Sequence, residues 1–82
     1  MKYEDRIRRI QKMEMCFDAL QNTPSFLRDT ACFRALLASF LQYYEGGQWV
    51  ADFTLDEQGM LPRDLKRGVL SEDGVYNFLT EL

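Results

Sequence analysis

Between Phe26 and Tyr44 the chain carries Phe26, Phe33, Leu36, Leu37, Phe40, Leu41, Tyr43 and Tyr44. Wound into a helix, these side chains spread over an arc of about 160° at about 100° per residue. A stripe that wide is too broad for one neighbouring helix to cover, so the segment has to be packed from two sides. In a chain of 82 residues the cover must come from both flanks, the N-terminal one and the C-terminal one. A domain this small also buries only about 60% of the surface its unfolded chain exposes, so its large side chains belong in the interior.

The N-terminal flank supplies one cover. Tyr3, Ile7, Ile10, Met13, Phe17 and Leu20 recur at spacings of three and four, which stacks them on one face of a helix from Tyr3 to Gln21. Arg8, Arg9 and Lys12 fall on the opposite face. Glu4 with Arg8, and Asp5 with Arg9, form i,i+4 pairs with the acid placed first, each contributing roughly 0.2–0.5 kcal/mol. Arg6 and Glu14 interrupt the apolar arc. A charge in such a stripe is rarely buried unless paired. Arg6 is expected to snorkel out at the rim, and Glu14 to meet Lys66, Arg67 or backbone amides. Asn22-Thr23-Pro24-Ser25 stops this helix and starts the next. Thr23 is expected to cap the second helix and Pro24 to occupy its first position. The second helix then runs to about Glu45, antiparallel to the first.

The C-terminal flank supplies the other cover. Gly46-Gly47 ends the second helix, because glycine reaches the left-handed cap without penalty. Trp49 and Phe53 fit a short helix, while Trp49, Ala51, Phe53 and Leu55 also alternate as in a strand. The helix is preferred, since a lone strand would leave backbone groups unpaired. Asp56-Glu57-Gln58-Gly59 reads as a turn. Pro62 is expected to open a helical turn through Lys66, closed by Gly68. Ser71 caps a final helix with Glu72 and Asp73 in its first turn, where negative charge suits the helix dipole. Val75, Phe78, Leu79 and Leu82 form its inner face, flanked by Tyr76. Trp49, Phe53 and Tyr76 are read as core rather than as a ligand platform. Residues 1–82 thus make one all-α domain: a long antiparallel helical hairpin with short C-terminal helices packed back on it.

Several residues carry a family resemblance. They are Arg9-Ile10, Met13-Glu14, Tyr44, Trp49, Asp52-Phe53, Asp56-Glu57, Gly59, Leu61-Pro62, Asp64-Leu65-Lys66-Arg67-Gly68-Val69-Leu70-Ser71-Glu72-Asp73 and Tyr76. On them the chain resembles the domain-of-unknown-function family 4298 of short uncharacterised bacterial proteins. The resemblance implies a small helical domain of bacterial or phage-related source, and no catalytic assignment.

The chemistry open to these residues is narrow. The chain has no histidine, which removes the commonest general base, the usual partner of nucleophilic Ser or Cys, and the commonest metal ligand. Two cysteines alone cannot close a structural zinc shell. Cys16 and Cys32 lie equidistant from Pro24. A disulfide needs Cα atoms about 5.5–6 Å apart while packed helix axes lie about 8–10 Å apart, so both are read as small, half-buried thiols. Asp52, Asp56, Glu57 and Asp64 are of the right type for a hard cation but match no calcium loop; a solvated acidic turn or pairing with Arg63, Lys66 and Arg67 is the plainer reading. Carboxylate-based glycoside hydrolysis needs a cleft that a chain of this length does not provide.

Two surfaces remain as candidates for contact. Arg63, Lys66 and Arg67 form a compact basic cluster that can grip phosphate, or pair locally to hold the C-terminal turn. Ala31, Ala35, Ala38 and Ser39 form a small-residue ridge on the back of the second helix, suited to a homodimer seam or simply to an exposed helical face. The net charge of −3 disfavours non-specific nucleic-acid binding. The charge is uneven, with seven basic and five acidic residues up to Arg34 and three basic and eight acidic from Ala35 on, which can steer a partner. No apolar run approaches a membrane span of about 20 residues, and no leader pattern begins at Met1-Lys2-Tyr3, so a cytoplasmic protein with reduced thiols is expected. The expected function is a non-enzymatic protein-interaction or regulatory module without a cofactor, acting on an unknown protein partner or on itself. A weak nucleic-acid or phosphate binder is the alternative, and a carboxylate metal site ranks last.

Overall fold

Helix α1 covers Glu4–Asn22, as its periodicity predicts, in a computed structural model that describes residues 3–82. Met1 and Lys2, which begin the stretch read for a leader, lie outside the described residues. Ile10, Met13, Cys16, Phe17 and Leu20 are buried along one face of α1, together with Glu14. Helix α2 (Ala31–Glu45) returns antiparallel to it. Cys16 Sγ meets the Leu36 carbonyl at 3.5 Å, and Phe17 stacks on Phe40 with ring centres 5.3 Å apart.

The junction differs from expectation. Thr23 closes α1 instead of opening α2: its backbone is extended and its hydroxyl donates to the Ala19 carbonyl at 2.7 Å. Pro24 leads into a single 3-10 turn at Ser25–Leu27. Helix α2 begins only at Ala31, where the Thr30 hydroxyl oxygen accepts the Phe33 N–H at 3.2 Å. Both threonines are chemically competent caps. Thr30 takes the role because Phe33 then falls into the core, where it is 4% exposed. The consequence is that Phe26 leaves the apolar stripe and stands 81% exposed at the corner.

Gly46 ends α2, and Gly47 makes the corner to helix α3 (Gln48–Glu57) with φ +93°, a left-handed conformation open to glycine at little cost. Trp49, Asp52 and Leu55 are buried on one face of α3, which settles the helix over the extended alternative. Asp56 and Glu57 complete α3, so the turn expected over Asp56–Gly59 is confined to Gln58 and Gly59, where the Gly59 N–H donates to the Asp56 carbonyl at 3.0 Å and Gly59 takes φ +71°.

Of the helical turn expected from Pro62 to Lys66 only one hydrogen-bonded turn forms, the Leu65 N–H donating to the Pro62 carbonyl at 3.3 Å; it does not continue to Lys66, and a 3-10 turn comes next at Gly68–Leu70, which Gly68 begins rather than ends. The Arg67 guanidinium donates to the Pro62 carbonyl at 2.7 Å and to the Arg63 carbonyl at 3.5 Å, the positions where the N–H groups of Lys66 and Arg67 would donate in a continuing helix. Leu61, Leu65, Val69 and Leu70 are all buried along this path.

Helix α4 (Glu72–Thr80) opens as predicted, with Ser71 Oγ accepting the Gly74 N–H at 3.2 Å and Glu72 and Asp73 in the first turn. Val75 and Phe78 are buried and Leu79 packs partly against the core. Leu82 lies beyond the helix end and is exposed, as is Tyr76. Neither belongs to the core assigned to them, because the inner face of so short a helix is filled by Val75 and Phe78.

The described residues hold four α-helices and no strand. Their core is threaded by one row of rings. Phe78 meets Phe17 edge-on, Phe17 stacks on Phe40, Phe40 on Tyr44, Tyr44 meets Trp49 edge-on, and Trp49 stacks on Phe53, with centres 5.0 to 6.2 Å apart throughout. Each such pair adds about 0.5–1.5 kcal/mol beyond area burial. The row ties α4, α1, α2 and α3 together, so the C-terminal elements lie over the hairpin and hide the indole of Trp49, which is 6% exposed.

Candidate functional site

Two carboxylates lie inside this core, and they organise the molecule's polar interior. Asp52, on the inner face of α3, is completely buried. Its Oδ1 accepts from Arg9 Nη2 at 2.5 Å and from Arg6 Nε at 3.2 Å. Its Oδ2 accepts from Arg9 Nε at 3.0 Å and from the Tyr43 hydroxyl at 2.8 Å. An ionised carboxylate offers about four acceptor sites, and here four donors occupy them. Arg9 grips it through two parallel bonds, the strong geometry for guanidinium and carboxylate.

The electrostatics reflect this arrangement. The hydrogen bonds to Asp52 raise the Arg9 guanidinium above its ordinary value, against partial desolvation, and the neighbouring negative charge adds to the rise. Burial pushes the Tyr43 phenol far above its usual range, and the hydrogen bond to Asp52 and that group's charge push it further. Tyr43 therefore stays a neutral donor. With every oxygen of Asp52 engaged, the cluster pins α1 to the end of α2 and to α3.

Arg6 thus does not snorkel free, and Arg9 does not sit on the outer face beside Asp5 as its spacing suggested. Both turn toward Asp52 across the helix interface. The signal for this cluster was present in the chain. Asp52 falls between Trp49 and Leu55 on an apolar face just as Arg6 and Glu14 do on theirs, and opposite charges inverted into facing apolar stripes are natural partners. The part of Tyr43 carried no such mark, because a tyrosine in an apolar arc reads simply as core.

Glu14 meets one of its expected kinds of partner, a backbone amide. Its Oε2 accepts the Val69 N–H at 2.8 Å, while the indole Nε1 of Trp49 donates to the Val69 carbonyl at 2.7 Å. The peptide groups flanking Val69 are therefore held on both sides. A side chain at Gly68 would place its Cβ 2.8 Å from Glu14 Oε1, so the close approach of the carboxylate requires glycine there.

Of the basic cluster, Arg67 is turned inward. Besides its two carbonyl contacts, its Nε stands 3.0 Å from Asp56 Oδ1 in an ion pair without hydrogen-bond geometry. Arg63 and Lys66 are exposed. The three cations are neighbours in the chain, but Arg67 has its charge directed toward α3. The ridge residues Ala31, Ala35, Ala38 and Ser39 all lie on α2 and all are exposed there. Ser39 also borders a polar groove of about 480 Å³ with Lys12, Gln42 and Gln48. A second groove, of about 430 Å³, lies between α1 and the 62–67 segment, with Glu14, Met15 and Asp18 on one side and Asp64, Leu65 and Lys66 on the other.

Asp52, Asp56, Glu57 and Asp64 are not brought together. Among the described residues no three His, Cys, Asp or Glu side chains stand close enough to share a metal ion. Cys16 is buried and Cys32 exposed, both free thiols, so neither is the half-buried thiol expected of it. Among the described residues no helix is long and apolar enough to cross a membrane.

Fold and site together define a small all-helical protein whose C-terminal part is fastened to an N-terminal hairpin through two buried carboxylates. The chain belongs to the family described as a domain of unknown function, DUF4298, whose model matches residues 10–82. That stretch includes Glu14, Tyr43, Trp49, Asp52 and Val69 and begins directly after Arg9. No curated protein and no solved structure matches the chain.

Proposed function

We propose that the protein is a non-enzymatic protein–protein interaction module, an adaptor or regulatory subunit of the cytoplasm. The observation that carries this reading is what the packing leaves outside. Phe26 at the corner between α1 and α2 and Met15 on α1 are 81% and 75% exposed, in a domain small enough to need its large side chains inside. Aromatic and methionine side chains are enriched at protein contacts, and methionine adapts its shape to varied partners. The polar groups that chemistry would need are engaged within the fold: Asp52 by Arg6, Arg9 and Tyr43, and Glu14 by Val69. Arg67 is likewise held by Asp56, which leaves Arg63 and Lys66 as two outward cations, a weak footprint for a polyanion.

The test is affinity capture from the source cell with the tagged full chain as bait. The expected result is a protein retained by the wild type and lost with Trp49→Ala, which removes the indole that holds the Val69 carbonyl. Capture of no protein, together with binding to an anionic polymer that falls steeply as salt rises, would replace this reading with the nucleic-acid one.

A further inference from the structure

We propose that the groove between α1 and the 62–67 segment receives a basic, partly apolar segment of a partner protein. This rests on the interaction-module reading and names the partner's chemistry. The groove, about 430 Å³ in volume, has an apolar floor. Leu65 is buried there, and Met15 lies across it at 75% exposure. Its rim is acidic. Asp18 from α1 and Asp64 from the facing segment border it, with Glu14 deeper and Lys66 as the lone cation lining it.

Among the described residues, neither Asp18 nor Asp64 has an ion-pair partner within 4.0 Å. These two carboxylates therefore differ from Asp52, whose charge is matched inside the fold. A groove with apolar floor and unmatched acidic rim complements one kind of side chain in particular. The aliphatic stem of Arg or Lys lies along Met15 and Leu65, and its charged head reaches Asp18 or Asp64. Arginine fits best, since its planar fork can bind a carboxylate through two parallel bonds. An adjacent leucine or methionine of the same segment would cover the thioether of Met15.

Both walls are held before any partner arrives. Glu14 is bonded to Val69, and Arg67 bridges Pro62 and Asp56, so the segment carrying Asp64 and Leu65 is braced at both ends. Pre-organisation of this kind lowers the ordering cost of binding.

The experiment uses the full chain and a short synthetic peptide of alternating arginine and leucine, with binding read from the methyl NMR signals of Met15 and Leu65. Controls are the glutamate–leucine counterpart and oligo-arginine. The expected result is a saturable shift of both methyl groups with the arginine–leucine peptide, none with the glutamate peptide, and a weaker effect with oligo-arginine. Asp18→Lys combined with Asp64→Lys should weaken the peptide by about tenfold, as two exposed charge pairs would, without altering the melting temperature. No saturable shift, an unchanged affinity in the double variant, or shifts centred on Glu72, Asp73 and Glu81 instead would overturn the proposal. So would the same shifts on raising the protein concentration alone, with dimers in sedimentation, which would make a second copy the occupant. A cellular partner still captured by the double variant would remove the groove and keep the interaction module. A peptide bound as expected with no protein captured would do the reverse.

Discussion

The carboxylate of Glu14 accepts the backbone N–H of Val69 at 2.8 Å, joining the middle of the first helix to the turn before the last one. Beside it, the Trp49 indole takes the Val69 carbonyl. Val69 itself is fully buried, so losing the carboxylate would leave its amide without a partner and without water. Glu14→Ala should cost about 1.5–3 kcal/mol, the range for a hydrogen bond to a charged group. Amide exchange at Val69 should accelerate strongly in that variant while the amides of central α2 keep their protection. Unchanged exchange at Val69 would show that the latch carries no weight. Gly68→Ala should act in the same direction, because its Cβ would displace the Glu14 carboxylate.

Asp52 is the other anchor, and its removal should be worse. Asp52→Asn keeps the shape but leaves Arg6 and Arg9 facing each other with no negative charge between them. Breaking a buried ion pair by removing one partner costs about 3–5 kcal/mol. The two arginine side chains are about a third exposed, at 32% and 28%, so water relieves part of this and the lower end is expected. For a domain whose total stability is of order 5–15 kcal/mol, urea denaturation should show a clear drop in midpoint. A midpoint within error of the wild type would mean that the cluster is not a structural anchor.

Tyr43 makes stability depend on alkaline pH. Its folded-state pKa lies above the unfolded value, which is about 10 for a free tyrosine. The contribution is therefore fully present below about pH 10 and is lost as pH rises through the folded value. In between, the unfolded chain releases the phenolic proton and the folded chain holds it, so stability falls. Tyr43→Phe removes this dependence. The stability difference between wild type and Tyr43→Phe should be constant from neutral pH to about pH 9 and then shrink. A difference that stays flat above about pH 11 would place the phenol in water rather than against Asp52.

The two thiols should separate cleanly. Burial pushes the Cys16 thiol up, against a smaller opposing pull from Lys12, and its Sγ lies against the Leu36 carbonyl. Cys32 is exposed on the first turn of α2. A thiol-reactive dye at neutral pH should label Cys32 at close to the rate of a free thiol, and Cys16 only at the rate of unfolding. Equal rates would contradict the packing of α1 on α2.

How much of this was legible depends on the range of the interactions. The helix from Glu4 to Asn22, the glycine corner, the Ser71 cap and the all-α class come from local rules, namely apolar spacing of three and four, the left-handed reach of glycine and the capping chemistry of serine. The Thr23–Thr30 choice was not legible, because both residues satisfy the same local rule and the decision came from where Phe33 and Phe26 end up relative to the rest of the core. The 62–67 segment differs in another way. Backbone propensity there permits a helical turn, and the side chain of Arg67, only four and five residues along the chain, folds back onto the Arg63 and Pro62 carbonyls, a contact that backbone propensity does not register.

The polar interior shows the same division. That Arg6 and Glu14 interrupt an apolar face was plain from their positions, and it forced the conclusion that a burial problem had to be solved. Which groups solve it was decided by assembly: Asp52 reaches Arg6 and Arg9, and Val69 reaches Glu14, only once α3 and the turn after it have docked. Patterning along the chain can announce that a charge lies on an inward face, since that depends on helical period alone. The identity of its partner depends on relative helix placement, and that is set by how the aromatic row from Phe78 to Phe53 packs.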